Sequence, residues 1–472
     1  MSARRRGRVR SLCAAAAVVT GLAGPPVLAA PAEPSAKGEE VSLADLLRSA
    51  VREGPLSVAA GHDVEAAEAE RRAMAGRRYP SLSSLVLAGP TPAAHGDAVH
   101  STTPVDDYGD LVESLGPFFR AELSVTQPLY TFGKIAAAED ALEKLVEVRR
   151  AQGATSRWEV VTQVKAAYYG LLLVDDLLAL AGEVRGYLDQ ARAHLDARLK
   201  DEDPEVTPID RAKLTVHESE LEAQRIDLVK RRAVLRDALV RLAVIEVPPG
   251  WRLAEKELSP VRVGPVDRAK LLEEALRSRP EIEAAVAGVE ALSAKREALR
   301  ARYWPDVFLA GRIRYGVAPN RDRQTSPFAR DDFNLLDAGV AIGLRYEWPT
   351  GVTGPEVAKV SAEIAALEAR RTALTEKVSH ELVAGVDEWR AAADKIEATR
   401  EGFKAARAWA VFARSGFELG TVPAKDLVDA LSAFVKARVA LLTVTYEHNV
   451  AVAHLSRASG RELLPELQAE GW

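Results

Sequence analysis

Apolar side chains recur at spacings of three and four residues through two long stretches of the chain. This spacing gives a narrow stripe along a helix, which is typical of coiled coils. Proline costs about 3 kcal/mol inside a helix. The chain has 25 prolines, yet none lies between Tyr130 and Asp203 or between Glu356 and Val422. Two helices of about 100 Å are therefore predicted. Their stripes are Val161, Val164, Tyr168, Leu171 and Leu178, and Val357, Val360, Ile364, Leu367, Leu374 and Val378.

Each long helix is followed by a short turn and a predicted return helix, at about 208–246 and 423–459. The first return helix carries leucines at every seventh residue, as a leucine zipper does. The positions three or four residues away are mostly polar, including His217 and Glu218, whereas a zipper needs two apolar seams. Lateral packing in a helical hairpin is therefore favoured over a zipper. The leucines are Leu214, Leu221, Leu228, Leu235 and Leu242.

A different pattern, apolar at every second residue, indicates β-strands. Residues 307–317 and 338–348 alternate in this way, with weaker partners at about 82–89 and 121–129. Strands of about 8–11 residues suit a tilted bilayer crossing. A water-soluble sheet with one buried face would alternate similarly, so aromatic residues at the strand ends are what favour membrane strands. They are Tyr79, Phe118, Phe119, Tyr130, Phe132, Tyr303, Trp304, Tyr346 and Trp348.

Four membrane strands imply an oligomer. An open strand edge cannot lie in lipid, and bacterial barrels begin at about eight strands. Several copies must therefore share one barrel, and three copies would supply twelve strands.

The chain also repeats itself. Residues 46–55 (LLRSAVREGP) resemble residues 271–280 (LLEEALRSRP), and the same offset carries Tyr79-Pro80 to Trp304-Pro305. Two homologous repeats are predicted, at 31–250 and 267–460, with a linker at 251–266 and a tail at 461–472. Each repeat starts with one helix of about 35 residues (near 43–79 and 267–303). A β-hairpin (about 81–129 and 306–348), a long helix (133–200 and 355–419) and the return helix follow.

Residues 1–30 are predicted to be a secretion signal, since a basic segment at 4–10 precedes an apolar run and small residues. A membrane anchor is the alternative, but glycines and prolines interrupt the run, which is too short for a spanning helix of about 20 apolar residues. Cys13 is the one cysteine of the chain, and Leu12 stands directly before it, where a lipid-attachment signal usually has a small residue. The sequence leaves lipidation open, and no disulfide or thiolate chemistry is expected in the mature chain.

The sequence contains no pattern typical of an enzyme. It has no glycine-rich phosphate loop, no His-Glu-x-x-His and no cysteine nucleophile, so no catalytic residue and no cofactor is predicted. His95 and His100 share an acidic loop, but two histidines at that spacing are a weak metal signal, and no metal site is predicted. The net charge of −5 gives no reason to expect nucleic-acid binding.

The landmarks of the chain, taken in order, resemble the TolC family of outer-membrane efflux ducts. They are LADLLRSAVREGP (43–55), RYPSL (78–82), TQPLYTFGK (126–134), LRSRPEIEAA (276–285), WPD (304–306), FELGTVPAKDLVDA (417–430) and AHLSRASG (453–460). The resemblance covers about residues 41–460, and the order and twofold repetition of the motifs are more specific than any one of them.

The resemblance implies a mainly α fold with a small β part. Long antiparallel coiled-coil helices would form a trimeric α-barrel across the periplasm, and four transmembrane strands per protomer would share a twelve-stranded β-barrel in the outer-membrane lipid. The protein would be the passive exit duct of a tripartite efflux or type I secretion system, not an enzyme. It would act as a homotrimer with a periplasmic adaptor protein and an inner-membrane transporter docked at the helix tips.

Matching the family motif at Gly420 places Asp426 and Asp429 at the two aspartates of the pore aperture. They lie three residues apart, so both project from one helix face, and a trimer would carry two rings of three carboxylates. Such rings attract cations. The alternative is two solvated aspartates near a helix N-terminus, where the helix dipole favours them.

Other tip residues depart from the family pattern. Phe417 and Val422 stand where the family can use a tyrosine and an arginine to latch the tip, so that latch is not expected here. Together with Gly420 and Thr421, they are assigned to the tip that contacts the adaptor. The first tip carries Asp201, Glu202 and Asp203, which would extend the negative mouth or bind the adaptor, or else form a solvated loop.

Two rival functions remain on the sequence alone. A periplasmic adaptor would have one helical hairpin between two halves of a small β-domain, not two repeats with amphipathic strands. A coiled-coil scaffold would lack membrane strands.

Overall fold

The computed structural model describes residues 40–94, 114–201, 207–248, 250–323, 331–348 and 350–468. The predicted secretion signal with Cys13, the histidines His95 and His100, and the tip residues Glu202 and Asp203 lie outside these ranges. The described chain is mainly helical with one four-stranded sheet, so the predicted mainly α fold with a small β part is confirmed. Among the described helices, none is long and apolar enough to span a membrane.

Four long helices form two antiparallel hairpins. Helix α3 (Lys134–Lys200) pairs with α4 (Pro208–Ala243), and α7 (Thr353–Glu418) pairs with α8 (Ala424–Ser459). Helix α4 begins with a capping box, in which the side chains of Thr207 and Asp210 bond to each other's backbone, and with Pro208 in the first turn. Helix α8 ends at Gly460, whose φ of 71° is the left-handed conformation that favours glycine.

The single helix predicted at the start of each repeat is wrong, because the structure has two. They are α1 (Leu43–Glu53) and α2 (Pro55–Gly76) in the first repeat, and α5 (Arg268–Ser278) and α6 (Pro280–Arg300) in the second. Proline lacks an N–H and pushes the preceding residue out of helical geometry. Gly54 and Arg279 accordingly have ψ angles of 134° and 124°, and each proline starts a new helix.

The sheet consists of four antiparallel strands in the order β2 (Ser81–Pro92), β3 (Leu115–Tyr130), β5 (Asp306–Val317) and β6 (Leu335–Arg345). Strand β3 pairs with β5 across the two repeats, with Phe119 opposite Val317. A register shift between Pro128 and Tyr130 lets β3 leave the ladder near α3. One copy therefore ends in two unpaired strand edges, on β2 and on β6.

The helices lie side by side in the same order as the strands. Next to the sheet, α2 packs on α3, α3 on α6 and α6 on α7. Farther away, α4 packs on α3, α3 on α8 and α8 on α7. Helices α3, α6 and α8 therefore lie inside the layer, with α2 and α4 at one side and α7 at the other.

The largest apolar cluster lies where α1, α3, α5, α7 and the end of α8 meet. A short parallel ladder between β1 (Glu40–Val41) and β4 (Arg252–Leu253) ties the start of the described chain to the linker between the repeats. The segment after α8, which ends in the short helix α9 (Pro465–Gln468), packs into the cluster through Leu463, Leu464 and Leu467. There Lys165 and Glu462, each 1% exposed, form an ion pair 2.5 Å long.

Candidate channel lining and helix tips

One face of the four-stranded sheet is apolar. Cross-strand register places alternate residues of all four strands on that face. Leu336, Val340 and Ile342 are between 73% and 76% exposed, so the face is open in a single chain. A contiguous apolar surface of this kind needs a cover, such as lipid or protein. The face comprises Leu82, Val86, Phe119, Leu123, Leu309, Ile313, Tyr315, Leu336, Val340, Ile342 and Leu344.

The opposite face of the sheet is polar and charged. Arg314 donates from Nε to Asp337 Oδ1 at 3.0 Å, and its Nη2 bonds the other carboxylate oxygen. Glu122 lies directly opposite Arg314 on the neighbouring strand. The charged and hydroxyl residues of this face are Ser81, Ser83, Thr91, Arg120, Glu122, Ser124, Thr126, Asp306, Arg312, Arg314, Asp337 and Arg345. Sequence alternation identified the arginines of β5 and β6 but missed Arg120 and Glu122, because the adjacent rings of Phe118 and Phe119 place apolar side chains on both faces at the start of β3.

The turn between α7 and α8 is closed by backbone hydrogen bonds. The Gly416 carbonyl accepts from the backbone nitrogens of Thr421 and Val422 at 2.8 and 3.2 Å, and from the Thr421 hydroxyl at 3.0 Å. Gly420 has a φ of 73°, which explains why a glycine stands there. The turn is therefore a rigid end for the hairpin.

Phe417 points inward from this turn and is buried against α3 and α8. Its ring meets the ring of His194 edge-on, with centroids 5.1 Å apart. Close by, Arg414 lies over the ring of Tyr187, at 5.2 Å from the centroid. An aromatic and apolar contact thus joins the two hairpins at the tip. Sequence reasoning did not find His194, whose partner comes from the other repeat.

Asp426 and Asp429 lie on the exposed side of α8, while Leu427, Ala430 and Leu431 turn inward. Neither carboxylate forms an ion pair with another described residue, and Asp426 lies in the first helical turn. Both carboxylates are therefore exposed at the tip rather than paired within their own chain.

A cavity of about 280 Å³ separates the two hairpins at the tip. Asp429 lines it from α8, and His217 and Lys213 line it from α4. Asp201 is the C-cap of α3 and is exposed at the same end of the molecule. Within the described residues, no group of three or more His, Cys, Asp or Glu is arranged to hold a metal ion.

The second repeat matches a known protein family. Residues 271–461 fit the family model described as outer membrane efflux protein. No curated protein sequence matches the chain. The fold is similar to that of solved outer-membrane channels over about nine-tenths of the chain.

Against the outer membrane protein VceC from Vibrio cholerae, the TM-score is 0.68 at 17% identity, covering 89% of this chain and 96% of that one. Against the open state of the MtrE outer membrane channel from Neisseria gonorrhoeae, it is 0.69 at 14% identity, covering 89% of each. Against the outer-membrane channel OprN, it is 0.69 at 19% identity, covering 90% and 91%. The family match covers the second repeat, and the shared fold covers nearly the whole chain. The chain resembles the TolC-like channels, as its sequence landmarks indicated.

The family match of residues 271–461 and the shared fold together indicate the location and the broad role of the protein. It is an outer-membrane channel with a periplasmic helical extension, and it serves in efflux. Channels of this family are passive, form trimers and work with adaptors and inner-membrane pumps. The rival functions of adaptor and scaffold are thereby set aside.

Proposed function

We propose that three copies of this chain close into one exit duct, with the sheets forming a twelve-stranded barrel in the outer membrane and the helices forming a barrel below it. The observation that carries the proposal is the position of the unsatisfied surfaces. Unpaired strand edges and exposed apolar helix residues lie at the two opposite sides of the chain, where a second and a third copy would attach.

The strand edges match in length. Strand β2 has 12 residues and β6 has 11, and both have one free edge in the single chain. Free strand edges cannot be exposed to lipid, because backbone groups without hydrogen bonds are costly there. If β6 of one copy pairs with β2 of the next, each copy uses both edges, and a closed ring leaves none free.

The helices point to the same arrangement. On the long helices of the described chain, large apolar residues are exposed on α4 and α7, the two sides of the layer, and none is exposed on α3 or α8. On α4, Ile209 and Val216 share a face at a spacing of two turns, and near the end of α7 Phe412 is 76% exposed. Val216 and Phe412 both lie about 9–12 Å from the tip at 1.5 Å per residue, so they would meet between copies.

At the tip, we propose that Asp426 and Asp429 line the pore aperture of the trimer. Their exposure on α8 and their lack of ion-pair partners among the described residues support this role. Asp201, Gly420, Thr421 and Val422, with Glu202 and Asp203, would form the end on which an adaptor and an inner-membrane pump dock. Phe417, predicted as a contact for the adaptor, is buried and would support this end from within.

Chemical cross-linking tests the trimer. In a Cys13→Ser background, Val216→Cys combined with Phe412→Cys should be joined by a short bismaleimide into dimers and trimers on a denaturing gel. Because the proposed contact runs from one side of a copy to the other side of the next, each single variant should stay monomeric. Monomers from the double variant, when it is recovered from the outer membrane, would refute the proposed contact.

Ion selectivity tests the aperture. Asp426→Ala with Asp429→Ala should lower the permeability of potassium relative to chloride in planar bilayers, because two carboxylate rings are removed. A matched variant, Glu397→Ala with Glu401→Ala, removes two carboxylates from α7 away from the tip and should leave selectivity unchanged. An unaltered reversal potential in the aspartate variant would remove these residues from the aperture.

A further inference from the structure

Arginines outnumber acids on the polar face of the sheet. Four arginines lie there in register, against the two acids Glu122 and Asp337. A third acid, Asp306, is bonded at 2.8 Å to Lys134. The face therefore carries an excess of positive charge, the opposite sign to the aspartates of the tip. The four arginines are Arg120, Arg312, Arg314 and Arg345.

Two of the three acids flank one arginine, and the third, Asp306, lies opposite Arg345. Asp337 forms a two-bond pair with Arg314, and Glu122 lies opposite Arg314 on the other side. Arg312 instead has neutral neighbours, Ser124 on β3 and Gly339 on β6. Among the described residues, no acid forms an ion pair with Arg312, and the Arg312 side chain is exposed. Its charge is therefore available to an ion that passes along this face.

Arg345 lies on the same face near the helical end of the sheet. Its guanidinium lies over the ring of Phe308, at 5.0 Å from the centroid. A ring of this kind orients a guanidinium without neutralising its charge. Asp306 lies opposite Arg345, but it is bonded to Lys134, so two cations face one acid and a net positive charge extends from the middle of the sheet to its lower end.

At the opposite end of the sheet, described residues fold over the polar face. The ring of Phe333 packs edge-on against Phe118, at 5.1 Å, and lies under the guanidinium of Arg321, at 4.8 Å. Gly116 leaves room for the amide of Asn320, which donates to the Thr91 carbonyl at 2.9 Å. Residues 318–323 and 331–334 thus narrow the space above this face, which brings a passing ion close to the arginines.

We propose that the polar face of the sheet is an anion-selective segment of the duct, with Arg312 as its main determinant, so that cargo bearing carboxylate, phosphate or sulfate groups crosses it preferentially. This rests on the proposed trimer, in which the apolar face meets lipid and the polar face lines the bore. Three copies place three Arg312 side chains around one bore, and rings of arginine are a known means of anion selection. The duct then has filters of opposite sign at its two ends.

The experiment uses the full-length trimer in planar bilayers with a potassium chloride gradient. To remove the tip carboxylates, every variant carries Asp426→Ala and Asp429→Ala. This parent should pass chloride better than potassium. Adding Arg312→Ser should lower the chloride-to-potassium permeability ratio by about twofold or more, whereas Arg312→Lys, which keeps the charge, should retain it. Arg277→Ser, which removes an exposed arginine of α5, is the matched control and should change nothing.

Salt concentration sharpens the test. The Debye length falls from about 10 Å at 0.1 M to about 3 Å at 1 M salt, so the anion preference of the parent should weaken at the higher concentration. The proposal is overturned if the conducting parent prefers potassium, or if Arg312→Ser leaves the ratio of a conducting trimer unchanged. The parent measurement decides the matter even if Arg312→Ser does not assemble. Failure of the proposed function looks different, since the parent would then form neither a trimer nor a conducting pore.

Discussion

Apolar side chains are buried differently in the inner helices, α3 and α8, and in the outer helices, α4 and α7. Helix α3 buries Val164, Tyr168 and Leu171 almost completely within its own chain. Helices α4 and α7 keep large apolar residues exposed, such as Val216 and Phe412. The inner helices are therefore stabilised by the folding of one copy, whereas the outer helices depend on the neighbouring copy. Substitutions in the inner helices should therefore lower the stability of the single chain, whereas substitutions in the outer helices should lower the stability of the trimer.

The largest effect is expected at the buried ion pair of the inner region. Glu462→Ala leaves the Lys165 ammonium buried without its partner, and removing one member of such a pair costs about 3–5 kcal/mol. Burial already lowers the pKa of Lys165, and Glu462 opposes that shift. Denaturant unfolding, followed by circular dichroism, should show this decrease in the free energy of unfolding.

Two variants control this prediction. Lys165→Met with Glu462→Leu replaces both charges by apolar groups and should recover most of the stability, since no lone charge stays buried. Glu273→Ala removes the exposed partner of Arg277 and should cost less than about 1 kcal/mol. Equal losses of unfolding free energy in Glu462→Ala and Glu273→Ala would contradict the conclusion that the Lys165–Glu462 pair is buried and stabilises the single chain.

An intermediate effect is expected at the outer region. Phe412→Ala should remove about 1.5–3 kcal/mol of burial from each contact between copies, while the isolated chain keeps its fold. The measurement is the temperature at which the trimer band disappears from a non-boiled denaturing gel, which should fall.

Phe417→Ala is the matched variant on the buried side of the same helix. Since Phe417 packs within its own chain, its loss should loosen the tip and increase protease cleavage there. If Phe412→Ala changed protease cleavage and Phe417→Ala changed only the trimer band, the comparison between inner and outer surfaces would be reversed.

The smallest effect is a pH dependence in the inner region. Burial lowers the pKa of His448 on α8, so its neutral form is favoured in the folded state. Stability is then fully present above the unfolded pKa of about 6.5 and is lost as the pH falls through the lower folded value. The melting temperature of the unmodified protein should fall between pH 7.5 and pH 5.5. The melting temperature of the His448→Gln variant should fall less over the same range. A parallel drop in both proteins would assign the effect to other groups.

Much of the fold could be predicted because its patterns are local. The long proline-free windows led to the prediction of the helices that the structure places at Lys134–Lys200 and Thr353–Glu418. Alternation gave the strands and the two faces of the sheet. The break at Gly54-Pro55 was not predicted, because a proline between two helical patterns can mark either a kink or a helix boundary. The roles of Asp426 and Asp429 stay predictions, since a single chain does not contain an aperture.

The sequence alone determines the local periodicity of apolar side chains, which is 3.6 residues in a helix and two residues in a strand. That periodicity determined the long rods, the amphipathic strands and the twofold plan of this protein. Only the tertiary structure decided which helices lie inside the layer, that β3 pairs with β5, and that Lys165 meets Glu462 although 297 residues separate them. The physical reason is that such contacts depend on how whole elements pack, and no spacing along the chain encodes the partner of a buried charge.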